Sequence, residues 1–509
     1  MDRPVARRLL VGALFLGLLA EVVLDGPAFG INIAILVVAA LVAGWLLRRR
    51  DRAPDPLDTW LPVTAVVLAA FVAIRADPFL ALVDTFGAAL FLGASIAAFS
   101  GLAVTRRSAA VITFMATWTL EAVVAGTPRV VKASRGVKSE ERDGWTGDTD
   151  PNRRRIGERG AAVARGLVIG IPLAMIFAVL FASADPIFRR GLDDLLGWQI
   201  DLSTVLGRVL FIAAITWLSA GLLSIAAFGI PAVERSSLGA QARATATIPT
   251  GIVGATEAII VLVIVDLVVG LFVGLQVAYL FGGQSTLVAV GLTYSDYARR
   301  GFFELVAAAC LAGGVVVALE TTVARRSRPY LALLLGLIGL TTVVLVSAAL
   351  RLRLYQDAYG WTELRLYVLT AIAALGAALV VMVGLALLGR MQWLGHGLAV
   401  IGVVALVGLN LVAPAGFVAQ RNVERILDPS LVPPDGQAAL DAIYLGVLPD
   451  DAVPALVAAL PALPESERRE IRSQLAKRQA ELAADPAHKS PAAWNLGRER
   501  AREALATLQ

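Results

Sequence analysis

The sequence predicts an all-α fold: a polytopic helical membrane bundle of about 11–12 hydrophobic helices, followed by a small C-terminal helical domain. Three observations lead there. The chain of 509 residues is 58% hydrophobic and 17% charged, with a mean hydropathy of +0.74, whereas an ordinary soluble domain carries about 25% charged residues. Apolar runs of roughly the ~20 residues needed to cross a bilayer recur along the chain. These runs are rich in Leu, Val, Ala and Gly without period-two alternation, which favours helices over a transmembrane barrel.

Taken in order, the runs fall near 9–25, 28–47, 59–75, 79–101, 109–126, 161–183, 205–231, 256–281, 302–321, 329–350, 364–387 and 397–418. The first opens behind Arg3, Arg7 and Arg8 like a signal peptide. No clean small-residue cleavage site follows, so it reads as an uncleaved first span. The expected division is residues 1–126 as N-terminal membrane helices, 127–160 as a charged cytoplasmic linker, 161–418 as a membrane core of about seven spans, and 419–509 as a helical domain at the membrane surface. The linker reading rests on "SRGVKSEERDGWTGDTDPNRRR", which is polar, glycine-containing and mixed in charge.

Lys and Arg in short loops set orientation. From residue 126 onward one face collects the basic residues of 129–159 and then Arg235, Arg243, Arg325, Arg326, Arg328 and Arg390. The other face receives Arg189, Arg190, Arg299, Arg300, Arg351 and Arg353. The first face is therefore expected in the cytoplasm. This gives a multi-pass protein of the cell (cytoplasmic) membrane with a cytoplasmic N-terminus and an extracytoplasmic tail. Arg48–Arg50, Arg52, Arg106 and Arg107 also belong inside, so 109–126, which carries Glu121, reads as re-entrant or interfacial. A span that breaks the charge rule is the alternative.

Three polar stretches share the outer face on this threading: "SADPIFRRGLDDLLGWQIDL" with Asp185, Arg189 and Arg190; "TYSDYARRGFFEL" with Asp296, Arg299 and Arg300; and "RLRLYQDAYGWTELRLY" with Arg351, Arg353, Tyr355, Asp357, Glu363 and Arg365. Asp185–Pro186 and the earlier Asp77–Pro78 read as helix N-caps with proline at the first helical position. Gly360 is expected to end one helix and Thr362 to cap the next, with Glu363 in its first turn. Arg353 and Asp357, four apart, can pair on one helical face. Tyr355, Tyr359, Trp361 and Tyr367 suit an aromatic belt with the arginines as interfacial anchors. Arginine in three outer loops also suits a built surface of charges and rings.

Within the spans, Asp266 is the candidate intramembrane acid, sharing a face with Gly270 and Gly274. No second deep acid with an intramembrane Lys or Arg completes a relay, which favours a structural hydrogen bond for it. Gln276, Asn410 and Asn32 read as interhelical hydrogen-bond partners. In the tail, Asp450 or Asp451, and then Ser490 with Pro491, mark helix starts.

The motifs "FASADPIFRRGL", "YARRGFFEL", "LRLYQDAYGWTELRLYVL", "VAQRNVERILD" and "LDAIYLGVLPDDAVPAL", in this order over residues 181–457, resemble a family of bacterial multi-span membrane proteins of unknown function, of the DUF4173 or DUF4153 kind. The resemblance does not clearly extend over the first five apolar segments. It implies a multi-span inner-membrane protein and offers no reaction to carry over. It adds Arg421, Asn422 and Arg425 to the outer polar face.

Several chemistries lack their starting groups. The single Cys310 lies in an apolar run and the two histidines, His396 and His488, are far apart. No P-loop, HExxH, GxSxG or CxxC pattern occurs. No catalytic residue, cofactor or metal is expected, and the enzyme reading is disfavoured. The net charge of +5 is spread over loops without a basic groove, which disfavours nucleic acid. The expected partners are the lipid bilayer and a protein reached through the outer loops and C-terminal helices, as befits an envelope scaffold or sensor. The alternative is a transporter or channel for a small anionic solute, with Arg299, Arg300, Arg351, Arg353 and Arg365 lining an outer vestibule.

Overall fold

The computed structural model describes residues 3–24, 28–48, 53–105, 126–128, 130–131, 134, 202–229, 254–281, 302–323, 327–433, 436, 442–484 and 490–508. Among them the fold is helical throughout: α1 (Arg3–Val23), α2 (Ile31–Leu47), α3 (Trp60–Ile74), α4 (Pro78–Phe99), α5 (Leu202–Phe228), α6 (Ala255–Phe281), α7 (Phe302–Thr322), α8 (Arg328–Tyr359), α9 (Glu363–Leu387), α10 (Leu394–Val412), α11 (Pro414–Leu427), α12 (Ala442–Val447), α13 (Val453–Ala459), α14 (Glu465–Ala484) and α15 (Leu496–Ala506). Seven helical segments among the described residues are long and apolar enough to cross a membrane: Pro56–Ile74, Pro78–Phe99, Gly207–Phe228, Ala255–Leu275, Arg328–Tyr359, Glu363–Leu387 and Leu394–Val412. The expected segments at 109–126 and 161–183, and most of the linker 127–160, lie outside the described residues.

The chain divides into two compact units, residues 1–25 with 123–224 and residues 26–122 with 225–509. In the first, α1 buries Ala6, Leu9, Ala13, Leu16 and Ala20, a stripe at three- and four-residue spacing. Gly17 admits Thr216 of α5 so closely that a Cβ would collide with its hydroxyl. Glu21 pairs with Arg208 at 3.5 Å.

In the second unit, α3 and α4 form a tight antiparallel hairpin against α2, with Ala65, Leu68, Ala69 and Val72 facing Leu80 and Ala88 in full or nearly full burial. Small residues let helix backbones approach where lipid tails supply no competing hydrophobic gain. A second core joins α6 to α9 through Leu262, Val316, Leu334, Leu337, Leu345, Ile372 and Leu379. Leu267, Leu271 and Val346 point away from these cores and stay exposed, as lipid-facing positions do.

Two breaks in regularity shape one end of this unit. Helix α8, with 32 residues, is about 48 Å long, well beyond the ~30 Å hydrocarbon layer. Its last turns, which carry Arg351 to Tyr359, exceed the length needed to cross that layer. The apolar run expected at 397–418 does not stay straight. Ala413 takes a left-handed conformation with φ of 55°, and Pro414 opens α11 in a new direction. Ala415, Val418 and Ala419 of α11 then join Leu445, Leu456, Ile471, Leu475 and Leu505 in the core of the tail. Helix α11 and the tail helices thus share an apolar centre.

Candidate functional site

At one end of the second unit the α3–α4 turn, the α8–α9 turn, the start of α2 and the end of α10 meet the helical tail, which caps them. Asp77 caps α4 as its sequence implies, its Oδ1 accepting from the N–H groups of Phe79 at 2.8 Å and Leu80 at 3.1 Å. Its Oδ2 accepts from the Tyr367 hydroxyl of α9 at 2.5 Å. The Glu363 carboxyl lies against that of Asp77, and its Oε1 is buried with no donor aimed at it. The Glu363 N–H donates to the Tyr444 hydroxyl of α12 at 3.0 Å.

Deeper along the same face of α4, seven residues on, sits Asp84. Its side chain and that of Asn410 in α10 are fully buried. The Asn410 amide donates to Asp84 Oδ1 at 3.1 Å and to the Leu406 carbonyl at 3.0 Å. Asp84 Oδ2 and Asn410 Oδ1 have no hydrogen-bond partner among the described residues. Asn410 thus bonds between helices, as its sequence position implies. Asp84 is a deep acid that the sequence reading did not single out; its partner is the Asn410 amide and not a Lys or Arg, and its signal is present in the sequence, since it repeats the face of Asp77 two turns on.

The tail is seated by polar groups as well as apolar ones. Asn495 caps α15 by accepting from the Arg498 N–H at 3.1 Å. Its amide donates to the Val72 and Arg75 carbonyls at 2.9 and 2.7 Å, so one side chain closes the ends of two helices. Asp451 Oδ2 accepts from the Ala76 N–H at 2.8 Å instead of capping its own helix. Burial pushes the Asp451 carboxyl up to about 6. The Ala76 hydrogen bond and the Arg75 charge oppose this, and the Asp77 and Asp450 charges add to it. Arg75 donates to the Asn410 carbonyl at 2.7 Å, and the Ile31 N–H donates to the Trp494 carbonyl at 2.9 Å.

The stretch 351–367 forms the other flank. Gly360 ends α8 with φ of 83° and ψ of 179°, a region open essentially to glycine. Thr362 caps α9 by accepting from the Arg365 N–H at 3.3 Å. Both turns follow the sequence expectation. Asn422 clamps Trp361, accepting its N–H at 2.9 Å and donating to its carbonyl at 2.8 Å. Arg425 donates to the carbonyls of Gln356, Asp357 and Ala358, placing a cation on the C-terminal dipole of α8. Burial lowers the affinity of its guanidinium for a proton, with Asp357 opposing and Arg365 assisting. Arg365 donates to the Gly360 carbonyl at 2.5 Å and lies 4.1 Å from the Tyr355 ring.

Several expectations change. Arg353 and Asp357 form no ion pair among the described residues; the Asp357 backbone is taken by Arg425 instead. Trp361 and Tyr367 have partners within the protein. Trp361 packs edge-on to Phe417 at 5.2 Å, and Tyr367 serves Asp77. Asn32 is a local cap, accepting from the N–H groups of Gly30 and Ile33 at 2.9 Å each. Asp266 lies against Gly336 of α8, and its Oδ1 makes no hydrogen bond. Arg421 pairs at the surface with Glu424 at 2.9 Å. Arg351 is partly buried and Arg353 exposed. Asp185, Arg189, Arg190, Asp296, Arg299, Arg300 and the Gln276 side chain lie outside the described residues. Among the described residues no group of three or more His, Cys, Asp and Glu side chains is placed to hold a metal ion.

The opposite end of this unit is built differently. Asp58 accepts from the N–H groups of Val104 and Thr105 at 3.0 and 2.7 Å, and Trp60 packs edge-on to His396 at 5.3 Å. Arg328 and Arg390 are exposed there. A cavity of about 410 Å³ opens between Leu41, Trp45, Pro56 and Phe99, far from the acids of the capped end.

No curated protein and no solved structure matches the chain. A family model does, over residues 63–459, reaching further towards the N-terminus than the motifs at 181–457 and taking in most of α3, the turn with Arg75 and Asp77, and α4 with Asp84. The chain belongs to the family described as Domain of unknown function (DUF4153).

Proposed function

We propose that this integral membrane protein is a non-enzymatic scaffold or sensor of the bacterial envelope that presents its capped end outside the cytoplasmic membrane. The observation that carries this reading is how the cations of that end are used. Arg425 closes α8, Arg365 bonds the Gly360 carbonyl and Arg75 bonds the Asn410 carbonyl. Guanidinium groups committed to backbone carbonyls hold a tail in place; they do not line a vestibule for an anion. Charge supports this orientation: Arg48 and Arg390 lie at the opposite end, the sequence continues after α2 and α4 with Arg49, Arg50, Arg52, Arg106 and Arg107, and basic loops stay in the cytoplasm. The partner on this reading is a protein that meets the outer loops and the tail.

The transporter reading draws on one observation, the buried Asp84–Asn410 pair at membrane depth, because intramembrane ionisable groups often mark pathways. Two measurements separate the readings. Reporter fusions after Gln509 and within 49–52 are expected to report outside and inside, respectively, and the reversed result removes the outer face. Purified protein in liposomes is expected to pass neither chloride nor phosphate nor protons under an imposed gradient; a flux that requires Asp84 would replace the scaffold with a transporter.

A further inference from the structure

The acids of the capped end form a continuous series that crosses the contact between bundle and tail. Asp84 is the innermost, fully buried, and among the described residues neither its Oδ2 nor the Oδ1 of its neighbour Asn410 has a hydrogen-bond partner. Asp77 follows on the same face of α4 and interacts electrostatically with it. Glu363 lies against Asp77, and Asp451 of the tail acts on both Glu363 and Asp77 across the contact. Tyr367 bridges to Asp77 and Tyr444 to the Glu363 backbone. The charged neighbours of Asp451 are Arg75, Asp77, Asp450 and Glu363, and Asp450 in turn pairs with Arg478 at 3.7 Å.

The ligand that suits these oxygens is a proton. A hard metal cation takes about six or more oxygen ligands, and one buried carboxyl with one amide falls well short. A proton requires a single lone pair. Asp77, Glu363 and Asp451 act on one another across the contact, with Asp84 deeper beside Asp77; ionised together they repel, and a proton on Glu363 or Asp451 relieves that repulsion. Asp451 also lies in the seat of the tail. Its Oδ2 holds the Ala76 N–H, and Gly497 of α15 lies so close that a Cβ there would collide with its Oδ1. Charge in the cluster therefore acts directly on docking.

We propose that Asp84, Glu363 and Asp451, arranged around Asp77, form a proton-binding site at the capped end, and that protonating it tightens the seat of the C-terminal helical domain on the α3–α4 turn. This rests on the scaffold or sensor reading and names what is sensed. The direction follows from Asp451, whose carboxyl rises from the ordinary 3.8 to about 6 when docked. An acid with a raised value favours the docked state fully below about 4 and loses that contribution as pH rises through about 6. The shift of Asp451 alone corresponds to docking about tenfold stronger at pH 5 than at pH 8.

Hydrogen exchange at residues 490–508 of the full-length protein in nanodiscs, corrected for intrinsic exchange at each pH, tests this. Wild-type protection is expected to rise about tenfold from pH 8 to pH 5. Asp451→Asn keeps an acceptor for the Ala76 N–H and is expected to fold with a nearly flat response. Asp84→Asn, which is nearly the same size and shape, is expected to fold with a reduced one. Wild-type protection that does not change between pH 5 and pH 8, or an Asp451→Asn protein that retains the full rise, overturns the proposal. Liposome flux on the same preparations separates the two readings. Flux with a pH-dependent tail ends the scaffold reading and leaves the proton site standing; a pH-independent tail without flux does the reverse.

Discussion

The two ends of the second unit use the same residue types for opposite purposes. At the basic end Arg328 and Arg390 stand exposed, Arg48 lies 3.5 Å from the Trp45 ring, and the α4 terminus is tied down by Asp58 next door. At the capped end Arg75, Arg365 and Arg425 reach into the protein and close helix termini, while the acids Asp77, Asp84 and Asp451 are enclosed. Charge turned outward marks an end that meets headgroups and water. Charge turned inward marks an end where another piece of the chain replaces solvent, and most of its polar groups must then find partners in the protein. The difference shows why a helical domain is seated on one end, and where substitutions separate docking from insertion.

The largest expected effect comes from Gly497→Val. A Cβ at 497 would lie 2.9 Å from Ala76 Cβ and 3.0 Å from Ala76 N, besides colliding with Asp451 Oδ1. The Ala76 backbone has no rotamer with which to yield. Overpacking of this kind costs about 1–3 kcal/mol or more, so the tail is expected to become protease-sensitive while the membrane helices stay intact. Gly389 at the basic end supplies the contrast. It has φ of 65° but nothing within 4 Å of its would-be Cβ, so Gly389→Ala is expected to cost only the left-handed backbone term of about 1–2 kcal/mol and to leave the tail protected. Equal tail release by both variants would erase the distinction between the ends.

Next in size is Arg425→Met, which keeps much of the side-chain volume and removes the cation from three α8 carbonyls. Hydrogen bonds to a charged group are worth about 1.5–3 kcal/mol net, and buried carbonyls left without donors add to the loss. We expect about 1.5–3 kcal/mol of destabilisation, read by denaturant unfolding in detergent. Arg390→Met, on the exposed basic turn, is expected to stay within about 0.5 kcal/mol.

Much of this architecture was legible in the sequence because local chemistry specified it. Asp77 before Pro78, Thr362 before Glu363 and Gly360 after α8 carry their cap signals in adjacent residues, and the bundle shows in the apolar runs. What the sequence hid depends on contacts far along the chain. Tyr367 reads as an interfacial ring until it is placed against Asp77, 290 residues away. Asn495 looks like an ordinary cap until its amide reaches Val72, 423 residues away. Asp451 sits where a helix start is expected, and its side chain serves another segment instead. The outer-face candidates divide for the same reason. Asn422 and Arg425 do join the stretch 351–367, whereas Arg365, one of the arginines expected to draw in an anion, acts as a cap, because a projecting helix end presents bare carbonyls that a guanidinium can satisfy.

The smallest expected effect is the one that discriminates best. Arg421 immediately precedes Asn422 but points to solvent. It pairs with Glu424 one turn on, with side chains 50% and 36% exposed, and its guanidinium is 5.3 Å from the Phe417 ring. A solvent-exposed pair of this kind contributes about 0–1 kcal/mol, so Arg421→Ala is expected to leave both unfolding and tail protection within about 0.5 kcal/mol of wild type. A larger loss would mean that the Phe417 contact helps hold α11 against Trp361, and that the inward-facing network extends to the surface. If stability is unchanged while association with an envelope partner is lost, Arg421 belongs to the presented surface. The inward network then holds the tail still, and the outward residues of α11 are what the tail displays.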